Sequence, residues 1–388
     1  MKNLVWFRND LRLHDNPALS QACAKADQVV GIYIVTFKQW EEHNDSPNKI
    51  AFWFRSLIEL QKDLHKLNIP LCILKCDTYD DCPQKILKFT SANEINNLYF
   101  NIEYPVNELK RDEQVQAVLE KMGTSCFSFH DQVIHVPGSL KTKAGTNFSV
   151  YSPFKRCWLA ELDYALLEEH AIPTIKQPVS VNQQDEYDLH SYKQSNINQD
   201  LWPVGEESIQ KMIVNFLDRK GSDYKTDRNF PGLTATSMMS PYINSGVVSS
   251  KWCLNQARAR NYDALDEGDK GLVHWISEIL WREFYRHIIY NFPRVSMGKA
   301  FQEHFEQVPW ENNQDFIEAW KHGRTGIPIV DAGMRQMIET GWMHNRLRMI
   351  VAMFLSKNLM VDWHIGEAFF MQHLIDGDIA SNNGGWQW

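Results

Sequence analysis

Over the first 130 residues two kinds of apolar pattern take turns, and that alternation leaves few folds open. Short runs rich in β-branched and aromatic residues occupy 4–7, 29–35, 71–74 and 98–100, and stretches with helical period fill 16–26, 49–67 and 107–122. Alternation of this kind reads as βαβ units, so a Rossmann-like, doubly wound parallel sheet is expected over 1–130. The segment 174–199 turns polar and irregular, rich in Gln and Asn, and reads as a linker. From Trp202 onward nearly every segment has helical period. The expected architecture is an α/β domain over 1–130, a connecting segment and linker over 131–201, and an all-α domain over 202–388.

Where a Gly-rich dinucleotide fingerprint would follow the first strand, the chain has WFRNDLR at 6–12, so a classical NAD site is not expected. Arg8, Asp10, Arg12 and Asp15 read as a solvated, salt-bridged loop. A net charge of −8 means that any nucleic-acid partner must meet a local basic surface. With no apolar run long enough to span a bilayer and no signal-peptide core after Met1, the cytoplasm is the expected compartment. The seven cysteines are an odd number without zinc-type pairs, and Cys72, Cys76 and Cys82 lack CxxC spacing. They read as reduced, small hydrophobes with no metal site.

Polar chemistry concentrates near the C-terminal end. In GWMHNRLRM at 341–349, Asn345, Arg348 and Met349 stand at i, i+3 and i+4, giving a helix face an amide, a guanidinium and a thioether. In DGDIASNNGGWQW at 376–388, Asp376 and Asp378 flank Gly377, and the Asn-Asn-Gly-Gly run reads as a turn with positive-φ positions. The hydroxyls of TATSMMSP at 234–241 lie ahead of a helix, where free N–H groups suit either a plain cap or an anion. At 275–286, Glu278, Trp281 and Arg282 share a helix face, which an i,i+4 Glu–Arg pair also explains. Fourteen tryptophans exceed what a core requires.

These runs resemble the flavin-binding core of the photolyase/cryptochrome family, closest to the cyclobutane pyrimidine dimer photolyases, and the likeness extends nearly throughout the chain. The resemblance implies light-driven splitting of pyrimidine dimers in DNA by an electron from excited reduced FAD. It implies FAD contacts at Tyr224, Thr236, Ser237, Met238, Met239, Ser240, Trp275, Arg282, Arg348, Asp376, Gly377, Asp378 and Asn382, with Asn382 facing flavin N5. A lesion pocket is implied at Glu278, Trp281, Asn345, Met349 and Trp388, with a desolvated, protonated Glu278 donating to the dimer. Trp310, Trp363 and Trp386 align with the family's electron-transfer tryptophans, and Arg228, Arg286 and Arg346 would meet DNA phosphates.

WFRNDLRLHDNPAL at 6–19 is similar to the family's antenna-domain signature. His43, Asn107 and Glu108 match positions that hold methenyltetrahydrofolate, although the residue pattern alone reads 107–108 as a helix cap followed by an early acid. Ser296-Met297 stands where folate-binding members carry Cys-Lys. Relatives continue past the position of Trp388 with further helices, so a C-terminally truncated monomer is expected. A cryptochrome that binds FAD without repair and an inactive remnant are the competing readings; Glu278, Trp281 and Asn382 favour repair.

Overall fold

The computed structural model describes residues 1–182 and 186–388. Five parallel strands, β1 (Lys2–Phe7), β2 (Gln28–Val35), β3 (Leu71–Lys75), β4 (Asn97–Asn101) and β5 (Ser125–Phe129), form a sheet of order β3-β2-β1-β4-β5 among the described residues. β1, β2, β3 and β4 are buried along nearly their whole length, which is why they read as unbroken apolar stretches, although β3 lies at an edge of the sheet. Around the sheet lie α1 (Pro17–Lys25), α2 (Phe37–Glu42), α3 (Pro47–Lys66), α4 (Cys82–Ala92) and α5 (Val106–Glu120). Pro17 and Pro47 open their helices directly behind the capping side chains of Asn16 and Ser46, which accept from Leu19 N and Asn48 N. β5, α2 and α4 were not expected from the sequence: β5 is a largely exposed edge strand, and α2 is too short to show a period.

The strand order reverses at β1, between its neighbours β2 and β4, where a doubly wound sheet opens its crevice. Charged groups fill much of this crevice, and the 8–15 loop is buried rather than solvated. Arg8 pairs with Asp112 at 3.2 Å, Arg111 with Glu103 at 2.8 Å, and Asn101 Nδ2 donates to Asp10 at 2.6 Å. Burial, with Asp131 nearby, pushes the Asp10 carboxyl up to about 6.

The remainder is helical: α6 (Tyr151–Ala160), α7 (Glu206–Lys220), α8 (Tyr224–Asp227), α9 (Ser240–Asn244), α10 (Ser250–Arg260), α11 (Lys270–Asn291), α12 (Gln314–Lys321), α13 (Pro328–Thr340), α14 (Asn345–Met353), α15 (Trp363–His373) and α16 (Ile379–Gln387). The long α11 is capped by Asp269, which accepts from Gly271 N and Leu272 N. An apolar cluster containing Val5, Phe7, Phe52, Tyr242, Ile276 and Ile375 runs from the sheet into these helices. Described residues of the polar stretch read as a linker are bonded by their backbone to the sheet domain: Lys176 N donates to Leu67 O, Gln177 N to Asp27 O and Tyr187 N to Ile73 O, each at 2.9 Å. Main-chain bonds of this kind leave no side-chain period to read. No helix among the described residues is long and apolar enough to cross a membrane.

Glu206, at the start of α7, joins the two halves by accepting from Leu13 N at 2.8 Å and His14 N at 3.1 Å. Burial pushes its carboxyl up to about 7, against the pull of those N–H groups and Arg12. The folded state therefore holds this proton more tightly than the unfolded chain. Its contribution is full below the unfolded value and is lost as pH rises from about 4.5 through about 7, on the order of 1–3 kcal/mol. Glu206→Gln is expected to flatten that slope in urea titrations across the window; an unchanged slope refutes the assignment.

Candidate active site

The chemistry-bearing residues meet where α8, α9, α11, α14 and the α15–α16 hairpin converge. Asp376 is the hub. Arg348 Nη2 reaches both its oxygens, at 2.8 and 3.0 Å, the Ser240 hydroxyl donates to it at 2.5 Å, and Asn244 Nδ2 donates to its carbonyl at 2.9 Å. Trp342 Nε1 extends the network to Ser240 Oγ at 3.4 Å. Arg348 also donates from Nε to Met343 O at 2.8 Å, which fixes the plane of its fork. Gly377 follows with close neighbours: a Cβ there would lie 3.3 Å from Leu374 O and from Met371 Sδ.

Asp378 also makes structural bonds that the sequence did not predict. It caps α16 through Ser381 N at 2.9 Å and lies 3.3 Å from Arg286. Burial opposes its ionisation, but Arg286, the Ser381 bonds and Arg282 overcome that and hold the carboxyl down at about 2. The Asn-Asn-Gly-Gly run is helix rather than a positive-φ turn. Gly384 is required for space: a Cβ would lie 2.2 Å from the Tyr285 ring. Asn382 Nδ2 donates to Glu367 O at 3.1 Å, and Asn383 Nδ2 to the Glu367 carboxylate at 2.7 Å.

On α11 the Glu278–Arg282 pair that the i,i+4 spacing also allowed does not form. Glu278 pairs instead with Arg228 and lies 3.6 Å from His274, and its side chain is 32% exposed, so it is neither isolated nor dry. Arg282 turns to the other side and donates to Gln132 O at 2.7 Å and, more weakly, to Ile243 O at 3.4 Å. Its Nε is buried without a partner, and burial beside Arg286 lowers the guanidinium to about 9. Trp281 stacks on Tyr151 of α6 with ring centroids 3.7 Å apart and planes 12° from parallel. Tyr151 is held by its hydroxyl against Ser277, at 2.6 Å to Oγ and 2.9 Å to the carbonyl. Tyr151 was missed because its partner lies 130 residues away, a separation no local pattern reports. Tyr285 stands between Trp281 and the 45%-exposed Trp388, at 5.7 and 6.4 Å.

Asn345 and Met349 are both exposed on α14, so the i,i+4 face exists, but Arg348 leaves it for Asp376. Of the arginines assigned to DNA phosphates, Arg228 and Arg286 are buried in ion pairs, with 7% and 4% side-chain exposure. Only Arg346 lies toward the surface, donating to Asn229 Oδ1 at 2.8 Å. Tyr224 is buried under Arg228, whose guanidinium carbon lies 5.4 Å from its ring centre.

In the 236–240 segment Met238 takes a positive φ of 51° and Met239 is buried in the core. Trp275 Nε1 donates to Ser237 Oγ at 3.2 Å. Thr236, Ser237 and Met238 line a cavity of about 210 Å³ together with Trp202, Asn215, Arg219 and Lys220. The buried Trp363 begins α15, and the segment after Trp310 is bonded beside it: Glu311 N donates to Met360 O, and Asp362 N to Asn312 Oδ1, both at 2.8 Å. Trp386 packs against Phe370 at 5.1 Å and Trp320 at 6.4 Å.

Residues 275–388 match the FAD-binding domain of DNA photolyase, and residues 3–177 match DNA photolyase. The whole chain aligns at 40% identity with the deoxyribodipyrimidine photo-lyase of Buchnera aphidicola (Acyrthosiphon pisum) and covers 80% of it. The chain belongs to the DNA photolyase family. The Escherichia coli deoxyribodipyrimidine photo-lyase is 39% identical over the whole chain, which covers 81% of that protein. A class III photolyase from Agrobacterium tumefaciens superposes with a TM-score of 0.89 at 30% identity, over all of this chain and 79% of that one.

In this photolyase a second cluster lies at the edge of the sheet domain. His43 Nε2 is 3.0 Å from Asn107 Nδ2, and His43 Nδ1 is 3.9 Å from Glu108. The cap of α5 is Pro105, not Asn107, so both side chains at 107–108 are free to face His43. Burial raises the Glu108 carboxyl, opposed by His43. Ser296 Oγ accepts from Val106 N at 3.4 Å, which brings the Ser296-Met297 corner next to this cluster.

Proposed function

We propose that this photolyase splits cyclobutane pyrimidine dimers in UV-damaged DNA under blue light, with FAD held around Asp376. The observation that carries the reading is the fixed Arg348–Asp376–Ser240 network, and on α11 Arg282 keeps a buried Nε without an acceptor. A buried guanidinium nitrogen without an acceptor fits a polar, anionic cofactor, as do the Thr236 and Ser237 hydroxyls beside Arg219 and Lys220. When bound, FAD supplies the light absorption and the single electron.

The chain supplies position. Arg348 and Asp376 orient the ring edge, Asn382 presents an amide near the flavin, and the ionised Asp378 keeps Arg286 and Arg282 charged nearby, favouring negative charge on the cofactor. Trp281, backed by Tyr151, offers its other face to a thymine ring, with Trp388 across Tyr285 and with Asn345 and Met349 on the open rim. Glu278, held by Arg228, would reach a dimer carbonyl by leaving that ion pair and taking up a proton, so that the acid donates to the carbonyl oxygen. Arg346 meets phosphate. Trp310, Trp363 and Trp386 carry reducing electrons inward. His43, Asn107 and Glu108 hold methenyltetrahydrofolate as antenna. The same reading divides the chain at 130 and 202, as a monomer of the cytoplasm.

The test is reconstitution with FAD followed by blue-light repair of a thymine-dimer oligonucleotide. Cofactor bound without repair would support signalling, and no cofactor would support a remnant. Glu278→Ala is expected to retain FAD while repair per absorbed photon falls roughly tenfold, the size of a lost charged hydrogen bond. Unchanged repair per photon removes Glu278 from the mechanism.

A further inference from the structure

The proposed chemistry uses no thiol, yet two cysteines six residues apart are brought into contact. Cys76 leaves the end of β3, its N–H held by Val35 O at 3.0 Å, and Cys82 begins α4. Their sulfurs are 3.6 Å apart, and both point at the Thr78 carbonyl, at 3.5 and 3.7 Å. Thr78 closes the intervening turn by bonding Asp81 from both its N–H and its hydroxyl at 2.9 Å. The turn is therefore already folded into the ring that a bridge would close. Cys76 is half-buried and open to small solutes, and Cys82 is 1% exposed behind it. The hydrogen bond from Cys76 holds the Cys82 thiol below its ordinary value, against burial and with help from Arg111, and the same bond together with burial pushes the Cys76 thiol up, so Cys82 is the base that can take the Cys76 proton.

We propose that Cys76 and Cys82 are a redox-active dithiol that closes to an intramolecular disulfide. With hydrogen peroxide as oxidant, Cys76 attacks one peroxide oxygen while its proton passes to the Cys82 thiolate 3.6 Å away, and the leaving hydroxide takes a proton from solvent, giving a sulfenic acid and one water. Cys82 then attacks the Cys76 sulfur: the S–S bond forms, the S–O bond breaks, and the departing hydroxide takes the Cys82 proton as a second water. The dithiol loses two electrons and peroxide is reduced to two waters. The turn that closes carries Tyr79, whose N–H donates to Gln39 Oε1 at 3.1 Å and whose hydroxyl donates to Glu108 at 3.3 Å. A bridge therefore fixes the side chain lying beneath His43 and Glu108.

The folded full chain, treated with hydrogen peroxide, blocked with N-ethylmaleimide and digested with trypsin, tests this directly, because both cysteines fall in the peptide 76–85. The expected product is that peptide lighter by two hydrogen atoms, unalkylated, and recovered doubly alkylated after dithiothreitol. In Cys82→Ser the same dose is expected to drive Cys76 on to sulfinic acid, since nothing resolves the sulfenic acid. A doubly alkylated 76–85 peptide while the half-buried Cys157 is oxidised overturns the proposal. So does sulfinic acid at Cys76 of the unaltered chain.

Discussion

Asp376→Ala is expected to yield a colourless protein after reconstitution with excess FAD, and to lower folding stability by about 3 kcal/mol. The carboxylate is nearly fully buried and satisfies Arg348 and Ser240, while its main-chain carbonyl accepts from Asn244 Nδ2. Removing it leaves a guanidinium facing a cavity, with its fork aimed at nothing. Asp376→Asn keeps the shape and one acceptor, so it is expected to recover most of the stability but not the affinity. Flavin absorbance and urea unfolding on the two variants separate the effects. A yellow Asp376→Ala protein with the original stability would mean that the network is not the cofactor's seat.

Trp281→Ala is expected to weaken binding of a dimer-containing oligonucleotide by about tenfold or more, the size of a lost base–aromatic stack, and to leave undamaged DNA binding alone. The indole is held from behind by Tyr151 at 3.7 Å, so one face is committed and the other is presented without side-chain ordering on binding. Gel-shift titrations with matched damaged and undamaged strands give the ratio. An equal loss on both strands would make Trp281 an ordinary DNA contact rather than a lesion reader.

The inner strands of the sheet were legible because burial on both faces writes itself as a continuous apolar run, as at 29–35. β5 was not, since SCFSF lies exposed at an edge and its pairing with β4 is made by backbone. The site was legible in which residues it gathers and illegible in whom they touch. Glu278 has Arg282 four residues on, but its partner is Arg228, fifty residues back. Asp378 stood out as a ligand contact, and its bond to Ser381 N as the cap of α16 was not foreseen. Gly384 looked like a turn and is a helical residue that lets a tyrosine ring approach. Each of these depends on a neighbour supplied by tertiary packing, which spacing along one helix does not encode.

The apolar cluster that passes from β1 through Phe52 and Tyr242 to Ile375 bears on how light energy would travel. Were a pigment held at His43, resonance transfer to a flavin at Asp376 would depend on the angle between their transition dipoles, and the shared interior would fix that angle. Changes at 174–182 would not retune it, because Lys176 and Gln177 are bonded by their backbone to Leu67 and Asp27 rather than slung between two moving halves.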